Sequence, residues 1–150
     1  MKIKAEVMFL DGKPNRNNRI YTNEAAENIL NTWKEHNDII FGMNDESIEY
    51  KPIDICGKVN NVYLEGDTVI VEGELLDNHI GTKILKQLRE AGLNMYITIT
   101  GCGDLKNDSK TIKNFELHHF NLTNDSAFDV CAIQEIMEWV LIYFVWLMKD

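Results

Sequence analysis

Few side chains in this sequence combine the type and spacing that chemistry needs. The four histidines are His36, His79, His118 and His119. The adjacent pair His118 and His119 falls on a predicted strand, where successive side chains point to opposite faces, so the two imidazoles are not expected to hold one metal ion together. His79 follows Asp77-Asn78 ahead of a predicted helix and reads as a polar loop residue. Glu72 and Glu74 share one strand face, the spacing of a paired carboxylate, but in so acidic a chain a solvated face is the simpler reading. The three cysteines, Cys56, Cys102 and Cys131, include no CxxC pair. They signal neither a disulfide framework nor a tetrahedral zinc site, and each reads as a small buried hydrophobe. A GxSxG elbow, a GxxxxGK[ST] phosphate loop, an HExxH zinc helix and a GxGxxG dinucleotide turn are all missing, and Gly101-Cys102-Gly103 alone is too short to stand for one. No cofactor and no metal are expected.

The elements that must position these residues belong to one domain. A chain of 150 residues, 45% hydrophobic with two prolines and nine glycines, can bury one ordinary core and lacks the composition of a disordered segment. Its 24 acidic against 15 basic residues leave a net charge of −9. That balance argues against a protein that grips nucleic acid phosphates, which requires clustered lysine and arginine. Lys2, Lys4 and Glu6 interrupt any apolar stretch at the N-terminus, so no signal peptide is read there. With the cysteine usage, this places the expected site of action in a reducing, intracellular compartment.

Residues 1–9 alternate apolar Ile3, Ala5, Val7 and Phe9 with Lys2, Lys4 and Glu6, the period of a half-buried strand. After a polar loop, Thr22 can cap a helix in which Ala26, Ile29, Leu30 and Trp33 recur at helical spacing and which ends near His36 or Asn37. Strands are expected over 53–59, 62–64 and 68–76, the last two joined across Glu65-Gly66-Asp67. A short helix over 82–91 stops at Gly92. A strand over 95–100 turns at Gly101-Cys102-Gly103, and another covers 111–120. This order predicts a single α+β domain with flanking helices and a largely antiparallel sheet that could close into a barrel-like form.

The C-terminus departs from the pattern. From Ala132, apolar residues occupy every face of a predicted helix, and residues 139–148 form a run of ten without charge. That is well short of the roughly 20 residues a bilayer span needs. A helix of this kind is expected against protein, either the domain itself or a second subunit, with interfacial membrane attachment as the minor alternative. The chain therefore divides into a domain over 1–131 and an apolar helix over 132–150.

Four segments, in order, resemble the prohead (capsid maturation) serine proteases of tailed bacteriophages. Asn15-Arg16-Asn17-Asn18-Arg19-Ile20-Tyr21-Thr22 resembles the family's N-x-N-G-R-x-Y-P and precedes a helix, as expected. Phe41-Gly42-Met43-Asn44-Asp45-Glu46-Ser47 stands where the family has G-E-L-[DN]-H-P. Tyr96-Ile97-Thr98-Ile99-Thr100-Gly101-Cys102-Gly103, after Ala91-Gly92, stands against G-V-S-S-R-G-x-G. Phe120-Asn121-Leu122-Thr123-Asn124-Asp125-Ser126 is similar to a late F-D-L-V-x-x-P-S. Together they cover about residues 3–130. The resemblance implies a fold related to the herpesvirus assemblin protease. It also implies work on phage heads in the host cytoplasm, with retention in the virion left open, and capsid or scaffold proteins as partners. Nucleic acid is not an expected partner, and the C-terminal helix is a possible contact between identical subunits.

The same alignment puts the family's nucleophilic serine on Thr98, its histidine on Glu46 (or Asp45), and its late aspartate on Asn121, while its second serine and arginine become Ile99 and Thr100. A hydroxyl nucleophile needs a base that takes its proton near neutral pH, and histidine suits because its ordinary pKa is about 6.5. A glutamate near 4.3 is a far weaker base unless burial raises it. Threonine's extra methyl restricts approach to a carbonyl, and threonine nucleophiles typically use an N-terminal amine, which Thr98 lacks. The expectation is a pseudoprotease serving head assembly. The alternatives are an active endopeptidase using Thr98 with Glu46 or Asp45, and an unrelated protein-binding module.

Overall fold

The structure, a computed structural model, describes residues 1–44 and 49–136. The elements run β1 (Lys2–Phe9), α1 (Asn23–Glu35), β2 (Ile40–Gly42), a 3₁₀ turn (Pro52–Asp54), β3 (Ile55–Glu65), β4 (Thr68–Leu75), α2 (Ile80–Glu90), β5 (Tyr96–Leu105), β6 (Ile112–Thr123) and β7 (Gln134–Glu135). Among the described residues, seven strands join one sheet in the order β5-β6-β2-β3-β4-β1-β7. Every neighbouring pair is antiparallel except β2 with β6. The fold is α+β. Among the described residues no helix is long and apolar enough to cross a membrane.

Alternation builds β1: Ile3, Ala5 and Val7 are buried, and a bulge after Glu6 turns Met8 inward as well. In α1, Ala25, Ala26 and Ile29 face the core. Thr22 holds the extended backbone of an N-cap, yet its hydroxyl makes no capping bond. At α2 the cap is His79, whose Nδ1 accepts from the Gly81 N–H at 2.9 Å while Nε2 lies 2.7 Å from the Ile53 carbonyl. Its two ring nitrogens are thereby used structurally, one accepting and the other donating. Gly92, at φ +74°, lets the chain leave α2 by the left-handed turn that favours glycine.

Several expectations change. The strands expected over 53–59 and 62–64 are one continuous strand, β3, with a bulge between Val59 and Asn61. Gly101-Cys102-Gly103 is no turn: β5 runs through it to Leu105, and the reversal comes at residues 106–111. There the Asp108 carboxylate accepts from the Lys110 and Thr111 N–H groups and the Thr111 hydroxyl, bonds that hold its pKa at about 2. Only Cys56 is buried; Cys102 and Cys131 are exposed, and all three are free thiols. Burial pushes the Cys56 thiol up to about 12.

The sheet is not closed into a barrel. β5 and β7 are its two edges, and no ladder joins them; a single bond from the Ile133 N–H to the Met95 carbonyl, at 2.9 Å, links their neighbourhoods. Nor is 132–136 the start of a helix. The free edge of β1 offers backbone groups that capture this segment as β7, pairing Ile3 with Glu135 and Lys4 with Gln134. The remainder of the expected helix, 137–150, lies outside the described residues.

Candidate functional site

The β5–β6 pairing sets Thr98 opposite Asn121 and Thr100 opposite His119. Because side chains repeat every second residue along a strand, these four share one face. Thr98 is half-buried, whereas Thr100, His119 and Asn121 are 3%, 0% and 1% exposed. They are three of only five buried polar or charged residues among those described. The parallel β2–β6 pairing brings Gly42 beside Asn121. A Cβ on Gly42 would stand 2.9 Å from Asn121 Oδ1 and 3.2 Å from His119 Cδ2, so any side chain there would have to displace both residues.

Hydrogen bonds define what the cluster can do. Asn121 Nδ2 donates to Thr100 Oγ1 at 2.6 Å. Asn44 Nδ2 donates to the Glu49 carbonyl at 2.8 Å, which turns Asn44 Oδ1 toward His119 Nε2, 3.2 Å away. His119 Nε2 is then the protonated nitrogen, and Nδ1 accepts from His118 Nδ1 at 2.9 Å. The rings of adjacent residues thus meet, although His118 is exposed and His119 buried as opposite faces require. Tyr50 lies edge-on to both, with centroid distances of 6.0 and 5.1 Å. Asn121 Oδ1 is near enough to the His119 ring to favour its proton, but it accepts no hydrogen bond.

Burial lowers the His119 pKa below its ordinary 6.5, the neighbouring His118 adds to the effect, and Asn121 opposes it. The folded protein therefore favours the neutral ring more than the unfolded chain does. Its stabilisation is complete above the unfolded value of about 6.5 and is lost as pH falls from there toward the lower folded value. Urea midpoints are expected to drop between pH 7.5 and 5, and His119→Gln should flatten that drop. An identical slope in the variant would assign the titration to other groups.

Of the residues aligned with the family's site, Thr98 and Asn121 come together as cross-strand partners. Glu46 and its alternative Asp45 lie outside the described residues. Among the described residues neither an imidazole nor a carboxylate hydrogen-bonds the Thr98 hydroxyl, and no cluster of three or more His, Cys, Asp and Glu side chains could hold a metal ion. Sequence reasoning overlooked His119 as a buried member of this corner. The signal was available in the two-residue spacings Thr98–Thr100 and His119–Asn121, which place all four on one face once the strands pair in this register. Glu72, read as part of a solvated strand face, is half-buried and accepts from the Tyr63 hydroxyl at 2.9 Å in another part of the sheet.

No protein-family model matches the chain, and no curated protein matches it. Among solved structures it is similar to the capsid assembly protease gp21 of bacteriophage T4, with a TM-score of 0.66 and 15% sequence identity, over 81% of this chain and 80% of that one. The chain has a capsid-protease-like fold.

Proposed function

We propose that this chain is a phage head assembly protein built on a capsid-protease fold that no longer cuts peptide bonds. It acts in the host cytoplasm and binds capsid or scaffold polypeptides. Thr98, Glu46 and Asn121 align in sequence with the family's nucleophile, base and late acidic residue and do not perform those roles. The observation that carries this reading is the state of His119. The lone pair on its Nδ1 is taken up by His118 and its Nε2 proton faces Asn44, so it has no free nitrogen to accept a hydroxyl proton. Thr100, opposite it, is tied to the Asn121 amide.

Incubating the protein with phage scaffold and capsid proteins, followed by mass spectrometry, is expected to yield stable association without new termini. Cleavage that disappears in Thr98→Ala would overturn the proposal. A second reading has one observation in its favour: Thr98 sits half-exposed on an edge strand, open to an approaching chain. As an active endopeptidase using Glu46 or Asp45, the protein would cut faster as a carboxylate deprotonates and would lose activity in Glu46→Gln as well. The likeness in fold favours both readings over an unrelated binding module.

A further inference from the structure

Beside the Asn121 corner lies a cleft of about 370 Å³ between α2 and the end of β6. Ile84 and Leu88 of α2, with Met43 and Met95, supply its apolar walls, and Asn121 and Thr123 contribute polar lining. None of its described lining residues is charged, although the chain carries a net charge of −9. Clefts elsewhere differ: one is lined by Lys4 and Glu6, another by Arg16 and Asp129. Within this neutral lining, Asn121 is 1% exposed and half satisfied. Its Nδ2 donates to Thr100 Oγ1 at 2.6 Å, while its Oδ1 accepts no hydrogen bond among the described residues. A buried amide oxygen in that state has lost water without replacing it, and a ligand that brings a donor recovers the loss.

We infer that this cleft takes one uncharged aliphatic side chain, of leucine or methionine size, from an extended partner polypeptide, with a peptide N–H of that partner donating to Asn121 Oδ1. The inference rests on the reading of the chain as a binder of capsid or scaffold polypeptides, and it names what is recognised in them. Sites for whole small molecules span about 300–1,000 Å³, so this cleft stands at the small end and suits a side chain rather than a folded surface. A lysine or glutamate head group would leave water for walls that offer no counter-charge, a cost that aliphatic carbon avoids. Ile84 and Leu88 are half-buried and gain when covered. The unbranched thioethers of Met43 and Met95 adapt to occupants of different branching. Because an aliphatic side chain carries no donor, the hydrogen bond to Asn121 has to come from the partner's backbone.

The test titrates the full chain, carbon-13 labelled at its methionine methyls, with the peptide acetyl-Ala-Ala-Leu-Ala-Ala-amide and follows the methyl resonances by NMR. Met43 and Met95 are expected to shift together and saturate, while Met8, buried in the core outside the cleft, stays in place. Glutamate or lysine in place of the central leucine should weaken binding about tenfold or more. Ester oxygens replacing the two peptide N–H groups that flank the leucine, one at a time, should weaken it about fivefold or more in one of the two cases. Leu88→Glu should abolish the preference for leucine over lysine, and Leu93→Glu, on an exposed side chain outside the cleft, should leave it intact. If Leu88→Glu loses cooperative unfolding, the peptide series on the unaltered chain decides alone. Equal binding of the three peptides, no saturable shift at the two methionines, or two esters that bind as well as the amide would overturn the inference. So would cleft shifts that follow protein concentration without peptide, which assign the cleft to a second copy. Association with scaffold and capsid proteins while the cleft methionines stay silent defeats the inference alone. Saturable leucine binding without any such association defeats the reading of function and leaves the recognition chemistry standing.

Discussion

Phe120→Ala is expected to destabilise the protein by about 3–5 kcal/mol, the usual range for emptying a fully buried phenylalanine site. Phe120 is 0% exposed and lies opposite Phe41, equally buried, at a ring centroid distance of 6.3 Å across the one parallel strand pair. The two rings fill the core beneath β2 and β6, where the backbone has little freedom to collapse because β2 is laddered on both sides. For a domain of this size the loss corresponds to a fall in Tm of roughly 6–20 °C. His119 and Asn121 flank Phe120 on the opposite face, so the same substitution should loosen the polar corner and shift the titration of His119. Urea denaturation at pH 7.5 gives the first quantity and histidine NMR the second. A cost under about 1 kcal/mol would show that this part of the core relaxes into the vacated space.

Gly101→Ala is expected to cost about 2 kcal/mol or more through overpacking. A Cβ there would lie 2.2 Å from the Glu116 carbonyl oxygen and 2.7 Å from Phe115 Cζ. The first obstacle is backbone of the paired strand, so relief requires moving β5 away from β6 and straining the register that sets Thr98 opposite Asn121. Gly103, two residues on, offers an internal comparison: a Cβ would meet Ile112 Cγ2 at 2.9 Å, the end of a side chain that can shift. Gly103→Ala should therefore cost clearly less, about 1 kcal/mol. Equal losses in the two variants, measured by urea midpoints at constant m-value, would contradict this explanation.

The same pair of glycines shows where local reading fails. Gly-Cys-Gly is good turn chemistry, and nothing within it reveals that another strand's carbonyl passes against Gly101. The need for glycine is set by β6, which follows later in the chain. The C-terminal segment is a similar case: from Ala132 the apolar period suits a helix, but the open edge of β1 captures 132–136 as a strand. β2 is three residues long, too short for any period to register, yet it places Gly42 against Asn121 and splits the antiparallel sheet with one parallel pair.

By itself the sequence determined the α+β class, the alternating first strand, both described helices with the stop at Gly92, and the hairpin over Gly66, because each depends on contacts within a few residues. The spacing of Thr98 with Thr100, and of His119 with Asn121, carried the same-face relation, but the strand expected over 111–120 stopped one residue short of using the second pair. Only the tertiary structure decided that these two pairs face each other, that His119 is buried with both nitrogens engaged, and that the sheet stays open. Those outcomes rest on strand register and on pairings between residues some 20 to 130 positions apart, such as Thr98 with Asn121 and Ile3 with Glu135. Side-chain period fixes which face a residue takes, but not which strand comes to lie beside it.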